Sequence, residues 1–152
     1  MRLALFEPDI PQNAGTLIRL GACLGVGIDI IEPCGFVIGG AAFKRAGMDY
    51  LEMAAVTRHT SWTTFCAARA GAAGRLVLLT TKGAGSYIDY AFAPDDTILL
   101  GRESAGVPEH VHSAADARLR IPMAPGLRSL NVAVAAAMVV SEALRQTKGF
   151  PG

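Results

Sequence analysis

Short apolar runs alternating with segments of helical period most restrict how this chain can fold. Residues 3–6, 28–31, 76–80, 98–100 and 119–121 are leucine-rich or β-branched and too short for helices. They read as buried strands, with 55–57 as a weaker one. Residues 13–24, 61–70, 108–113 and 129–146 read as helices. The second of these has Ser61 in a cap position ahead of Trp62, Phe65 and Cys66 at helical spacing. Strand–helix alternation with apolar strands predicts an α/β fold. The expected architecture is a five- or six-stranded, mostly parallel sheet with helices on both faces. The Gly/Ala cluster at 71–74 reads as a helix-to-strand turn, and residues 1–152 read as one domain with no repeat or low-complexity linker.

In open parallel sheets, ligands sit beyond the carboxyl ends of the strands. Glu32, Thr80, Gly101 and Pro122 follow strands directly, and three of them lie in the C-terminal half, which is where a small-molecule site is expected. In LLGRESAGVP (99–108), Gly101 and Gly106 let the backbone turn sharply around an arginine, a carboxylate and a hydroxyl. Gly101 reads as a close approach to a ligand, so valine there is expected to fill the ligand's space. Glu103 is expected to pair with Arg19 or Arg102. The segment IPMAPGLRSLNVAVAAAMVVSEALRQ (121–146) repeats the arrangement as a short strand, a Pro/Gly loop and a long helix. There Ser129 reads as the N-cap and Asn131 as a first-turn residue. LTTKG (79–83) contains neither a P-loop nor a dinucleotide fingerprint. NAGTLIR (13–19) reads locally as a helix capped by Asn13, with Arg19 a solvated charge among Leu17, Ile18 and Leu20.

With 51% hydrophobic and 18% charged residues, the chain is apolar for a small monomer, and a homodimer is expected to cover part of it. The net charge is only +1, so any nucleic-acid partner must be met by cations gathered locally. Lys44, Arg45, Arg58, His59, Lys82, Arg118, Arg120 and Arg128 are the candidates, and the same scattered set also reads as ordinary solvated charge. Lys44 and Arg45 lie near Tyr50, a cation beside a stacking partner of the sort single-stranded RNA uses. Cys23, Cys34 and Cys66 form no CxxC and suit a reducing cytoplasm rather than a disulfide framework. The start MRLALFEPDIP meets Glu7 too early for a signal peptide, and no membrane span is expected. His110 and His112 lack an evident third ligand, so no metal is expected.

The segments NAGTLIR, LLGRESAGVP and IPMAPGLRSLN, in this order, resemble the signature motifs of the SPOUT RNA methyltransferases. The similarity runs from LFEPDIPQNAGTLIRL through IIEPCGF, KRAGMDY, AVTRH and LTTKG to the end of the chain. Within the family it is most like the minimal tRNA 2′-O-methyltransferases of the wobble cytidine or uridine. The resemblance implies a C-terminal trefoil knot and S-adenosylmethionine as methyl donor, with S-adenosylhomocysteine as product. It also implies a tRNA anticodon stem-loop as substrate, and a homodimer built on the first and last helices. Arg19, Ser129 and Asn131 would then be catalytic. Leu79, Gly101, Glu103, Ile121, Met123, Ser129 and Leu130 would hold the cofactor, and Lys44, Arg45, Arg58 and Lys82 would face RNA. Ribosomal RNA methylation and a non-catalytic RNA-binding module are the alternatives. Three positions depart from the close relatives: Arg102 where proline is frequent, Val134 where asparagine is frequent, and Ser141 in place of a tyrosine.

Overall fold

The computed structural model describes residues 1–47 and 50–152. Met48 and Asp49 of the KRAGMDY segment lie outside the described residues. The strands are β1 (Arg2–Phe6), β2 (Gly27–Ile31), β3 (Val56–His59), β4 (Leu76–Leu79), β5 (Gly85–Ser86), β6 (Thr97–Leu100) and β7 (Ala117–Arg120). They form one sheet in the order β3-β2-β1-β6-β4-β7-β5, and each of its pairings is parallel. The helices are α1 (Pro11–Leu24), α2 (Ala41–Gly47), α3 (Tyr50–Met53), α4 (Trp62–Arg69), α5 (Glu109–Ala114) and α6 (Val132–Thr147).

The central strands β1, β2, β4 and β6 are apolar on both sides because both sides are covered. Leu3, Leu5, Ile28, Ile30, Ile98 and Leu100 pack with Ala14, Leu17 and Ile18 of α1, Phe43 of α2 and Ala136, Val140 and Ala143 of α6. Ala4, Phe6, Leu76, Leu78 and Leu99 pack on the other face with Phe65 of α4 and Val111 of α5. Alternate residues of one strand thus enter opposite cores, as the pleat requires.

Six of the seven strands overlap the strand segments read from the sequence, although β3 and β7 share only two residues each with 55–57 and 119–121. The seventh, β5, has only two residues and no periodicity to read. Likewise α2 and α3 are too short to show a helical stripe. Helix α1 begins at Pro11, not Asn13; its N-cap is Ile10, with no side-chain cap bond, because proline at the first position supplies the helical φ by itself. Helix α6 is capped by Asn131 and not by Ser129: the Asn131 carboxamide oxygen accepts from the N–H groups of Ala133 and Val134 at 2.9 and 3.3 Å.

β7 runs between β4 and β5, and residues 80–84 connect those two strands past it. The crossing is tight. A Cβ on Gly83 would stand 2.4 Å from the Leu119 carbonyl carbon and 2.7 Å from the Arg120 nitrogen. Arg120 seals the crossing by donating to the carbonyls of Gly83 and Ala84 at 3.0 Å each. Gly83→Ala is therefore expected to cost about 1–3 kcal/mol of stability by overpacking. A urea midpoint equal to that of the parent would contradict this crossing.

Candidate active site

A cavity of about 590 Å³ opens beyond the carboxyl ends of β4, β6 and β7. The sheet order explains its position, because those three strands are neighbours and their exit loops must share one edge. Leu79, Thr80 and Thr81 come from the first loop, Gly101, Arg102, Glu103 and Gly106 from the second, and Ile121, Met123 and residues 128–131 from the third. Ile10 and Asn13 close it from the start of α1. Its wall combines aliphatic side chains with carboxylate, carboxamide, hydroxyl and guanidinium groups.

All the residues that the sequence placed around a cofactor line this cavity: Leu79, Gly101, Glu103, Ile121, Met123, Ser129 and Leu130, together with Asn131. Arg19 does not line it. It is exposed on α1, with its guanidinium carbon 4.8 Å from the Tyr50 ring centroid. This contact gives Tyr50 a cationic partner in Arg19. Lys44, Arg45 and Lys82 are exposed and away from the cavity wall. Arg58 is exposed on the edge strand β3 and paired with Glu32 at 2.9 Å.

Three of the other basic candidates serve the fold. His59 is buried, with Nε2 2.8 Å from the Asp29 carboxylate. Arg118 donates to the carbonyls of His112 and Ser113, and Arg120 to the 80–84 loop. Arg128, by contrast, lies on the cavity wall. Among the described residues, no group of three His, Cys, Asp or Glu is gathered as metal ligands would be.

The role of Gly101 differs from the one expected. A Cβ there would meet the Gly106 backbone at 2.8 Å, so the glycine makes room for its own loop. Arg102 and Gly106 exchange both backbone hydrogen bonds, at 3.1 and 2.8 Å, with Gly106 at φ 64° in the left-handed region. A branched side chain at 101 would break that closure, and the three polar residues between the glycines would lose their aim.

Glu103 pairs with neither Arg19 nor Arg102. One carboxylate oxygen accepts from the Asp9 N–H at 3.1 Å and the other from the Asn13 carboxamide at 3.3 Å. Arg102 instead binds the Glu7 carboxylate, and Glu7 reaches it from a left-handed φ of 42° at the end of β1. Asn13 in turn accepts from the Asn131 carboxamide at 3.0 Å. Burial is the main influence raising the Glu103 carboxyl above its ordinary range, and a hydrogen bond shared with Asp9 adds to it. The same shared bond holds Asp9 below its ordinary range. Asn13 was legible only as a cap, because a partner 90 residues away leaves no local pattern.

The SpoU rRNA Methylase family profile matches residues 1–141. The chain belongs to this family. A relative from Ancylobacter novellus, named tRNA (cytidine(34)-2′-O)-methyltransferase, is 59% identical over 150 residues, covering 99% of this chain and 95% of the relative. A solved structure described as giving insight into 2-OH methylation of C/U34 on tRNA superposes with a TM-score of 0.91 at 38% identity, covering 95% of this chain and 94% of the other. The SpoU methyltransferase AviRb from Streptomyces viridochromogenes, in complex with AdoMet, superposes with a TM-score of 0.86 at 28% identity, over 96% of this chain and 60% of that one. The SpoU fold here is an all-parallel α/β sheet whose exit loops frame one cavity.

Asn131→Ala removes both cap bonds of α6 and the bond to Asn13. A loss of about 0.5–2 kcal/mol is expected. An unchanged denaturation midpoint would show that α6 does not depend on this cap.

Proposed function

We propose that this protein transfers a methyl group from S-adenosylmethionine to the ribose 2′-oxygen of nucleotide 34, cytidine or uridine, in tRNA. The observation that carries the reading is the cavity at the exits of β4, β6 and β7, whose lining lies wholly within residues 1–141 that match the SpoU family. Support for the tRNA substrate comes from the Ancylobacter relative and from the C/U34 structure, each covered over nearly its whole length.

The cavity suits the cofactor on its own chemistry. Leu79, Ile121, Leu130 and Met123 offer an apolar surface for a flat base, while Glu103, Ser129 and Asn131 add polar groups at the other side. When bound, S-adenosylmethionine supplies an electrophilic methyl on a good leaving group, so the protein's task is positioning. Ser129 and Asn131 bound the nucleophilic side. Arg19, which donates hydrogen bonds and accepts none, orients the ribose or its phosphate. Lys44, Arg45, Arg58 and Lys82 are read as contacts to the anticodon stem-loop; all four are exposed.

A homodimer belongs to the same reading. Ile10, Leu127, Leu130, Val134 and Met138 are large apolar side chains left exposed around the start of α1 and along α6, with Val134 51% exposed. The single domain is supported by one continuous sheet from Arg2 to Arg120. The trefoil knot is supported by the passage of β7 between β4 and β5. A cytoplasmic location is supported by three free cysteines, and among the described residues no helix is long and apolar enough to cross a membrane.

Calorimetry is expected to show S-adenosylmethionine binding unchanged by a chelator, and light scattering a dimer at micromolar concentration. Absence of binding heat would leave a non-catalytic RNA module as the better reading. Arg19→Ala is expected to slow single-turnover methyl transfer to an anticodon stem-loop by roughly a hundredfold or more. Cofactor affinity should be retained, because Arg19 stands outside the cavity wall. Near-parental turnover would remove Arg19 from the mechanism.

A further inference from the structure

We infer that Asp9, which does not itself line the cavity, is the positioning residue that sets the polar side chains around it. The inference rests on the methyl-transfer reading. Asp9 and Glu103 grip each other reciprocally. The Asp9 N–H donates to Glu103 Oε2 at 3.1 Å, and the Glu103 N–H donates to Asp9 Oδ1 at 3.0 Å. The second Asp9 oxygen accepts from the Ser104 hydroxyl. One carboxylate thus ties down two successive residues of the 101–106 loop.

The grip propagates in one direction. Glu103 Oε1 accepts from the Asn13 carboxamide, Asn13 Oδ1 accepts from the Asn131 carboxamide, and Asn131 Oδ1 caps α6 through Ala133 and Val134. Each carboxamide donates at its nitrogen and accepts at its oxygen, so neither can flip without losing bonds at both ends. Glu103, Asn13 and Asn131 line the cavity. They come from three separate stretches of chain, and Asp9 is the fixed end of the series that joins them.

Asp9 is itself held from behind. A Cβ on Gly35 would stand 2.7 Å from the Asp9 Cβ and 2.9 Å from its Cα. The Gly35 N–H also donates to the Pro8 carbonyl at 2.9 Å. The loop after β2 therefore presses residues 8 and 9 against the 101–104 loop.

Three variants test the role: Asp9→Ala, Asp9→Asn and Gly35→Ala. Asp9→Asn keeps an oxygen for the Glu103 N–H, and its amide faces a Ser104 hydroxyl that can turn to accept. Gly35→Ala leaves the carboxylate intact and displaces it. Asp9→Ala and Gly35→Ala are expected to slow single-turnover methyl transfer about ten- to a hundredfold. In both, S-adenosylmethionine affinity should fall by much less than the rate, because Leu79, Ile121, Met123 and Leu130 keep the apolar part of the wall, and Asp9→Asn should restore most of the rate. The side-chain amide NMR signals of Asn13 and Asn131 should shift in Asp9→Ala and Gly35→Ala and stay near parental positions in Asp9→Asn.

Parental turnover in Asp9→Ala, a cofactor affinity that falls in step with the rate, or an Asp9→Asn as slow as Asp9→Ala would each overturn the role. If Asp9→Ala does not fold, the rate and amide signals of Gly35→Ala decide. If the parent protein itself methylates no tRNA, the methyl-transfer reading fails. The amide signals then still decide whether Asp9 orders Asn13 and Asn131.

Discussion

β7 passes between β4 and β5, and the rest of the site depends on that placement. Residues 80–84 join the two strands that flank β7, so the loop after β4 is pressed against the end of β7, as the Gly83–Leu119 crossing shows. β6 lies on the other side of β4 and delivers the 101–106 loop to the same edge. No long insertion is needed to build a cavity there. Three short connections, each fixed by a parallel pairing on at least one side, enclose about 590 Å³.

The polar wall of the cavity is ordered by side chains and not by the sheet. Glu7 binds Arg102, Asp9 binds Glu103 and Ser104, and Asn13 bridges Glu103 to Asn131. These bonds tie the end of β1 and the first turn of α1 to elements about 90 or more residues away. A positioning enzyme requires that kind of stiffness, because loss of orientation alone can cost two orders of magnitude in rate. Arg19 stands apart from this network, against Tyr50 on the α2–α3 side of α1. Asn13 in the first turn of α1 thus lines the cavity, while Arg19, further along the same helix, lies against Tyr50.

The apolar runs of the sequence located β1, β2, β4 and β6 because both faces of these central strands are covered. The exit glycines located the cavity for the same reason: few residues permit such turns. What the sequence did not disclose follows from distance and length. β5, α2 and α3 are too short for a period. Asn13 looked like a cap because local preference is all that a sequence displays, whereas its partners are Glu103 and Asn131. Asp9 was unremarked because its meaning lies wholly in the 101–104 loop. Gly101 marks a close approach whose neighbour in the structure is the Gly106 backbone of its own loop, a contact that sequence spacing does not display. His59, Arg118 and Arg120 looked like surface cations and are bound into the fold.

The central claim is the identity of the modified atom. Purified protein incubated with S-adenosylmethionine and unmodified tRNA, followed by nucleoside mass spectrometry with positional mapping, reads it directly. The account predicts 2′-O-methylcytidine or 2′-O-methyluridine at position 34. Methylation on a base, or at a ribose outside the anticodon, would contradict it.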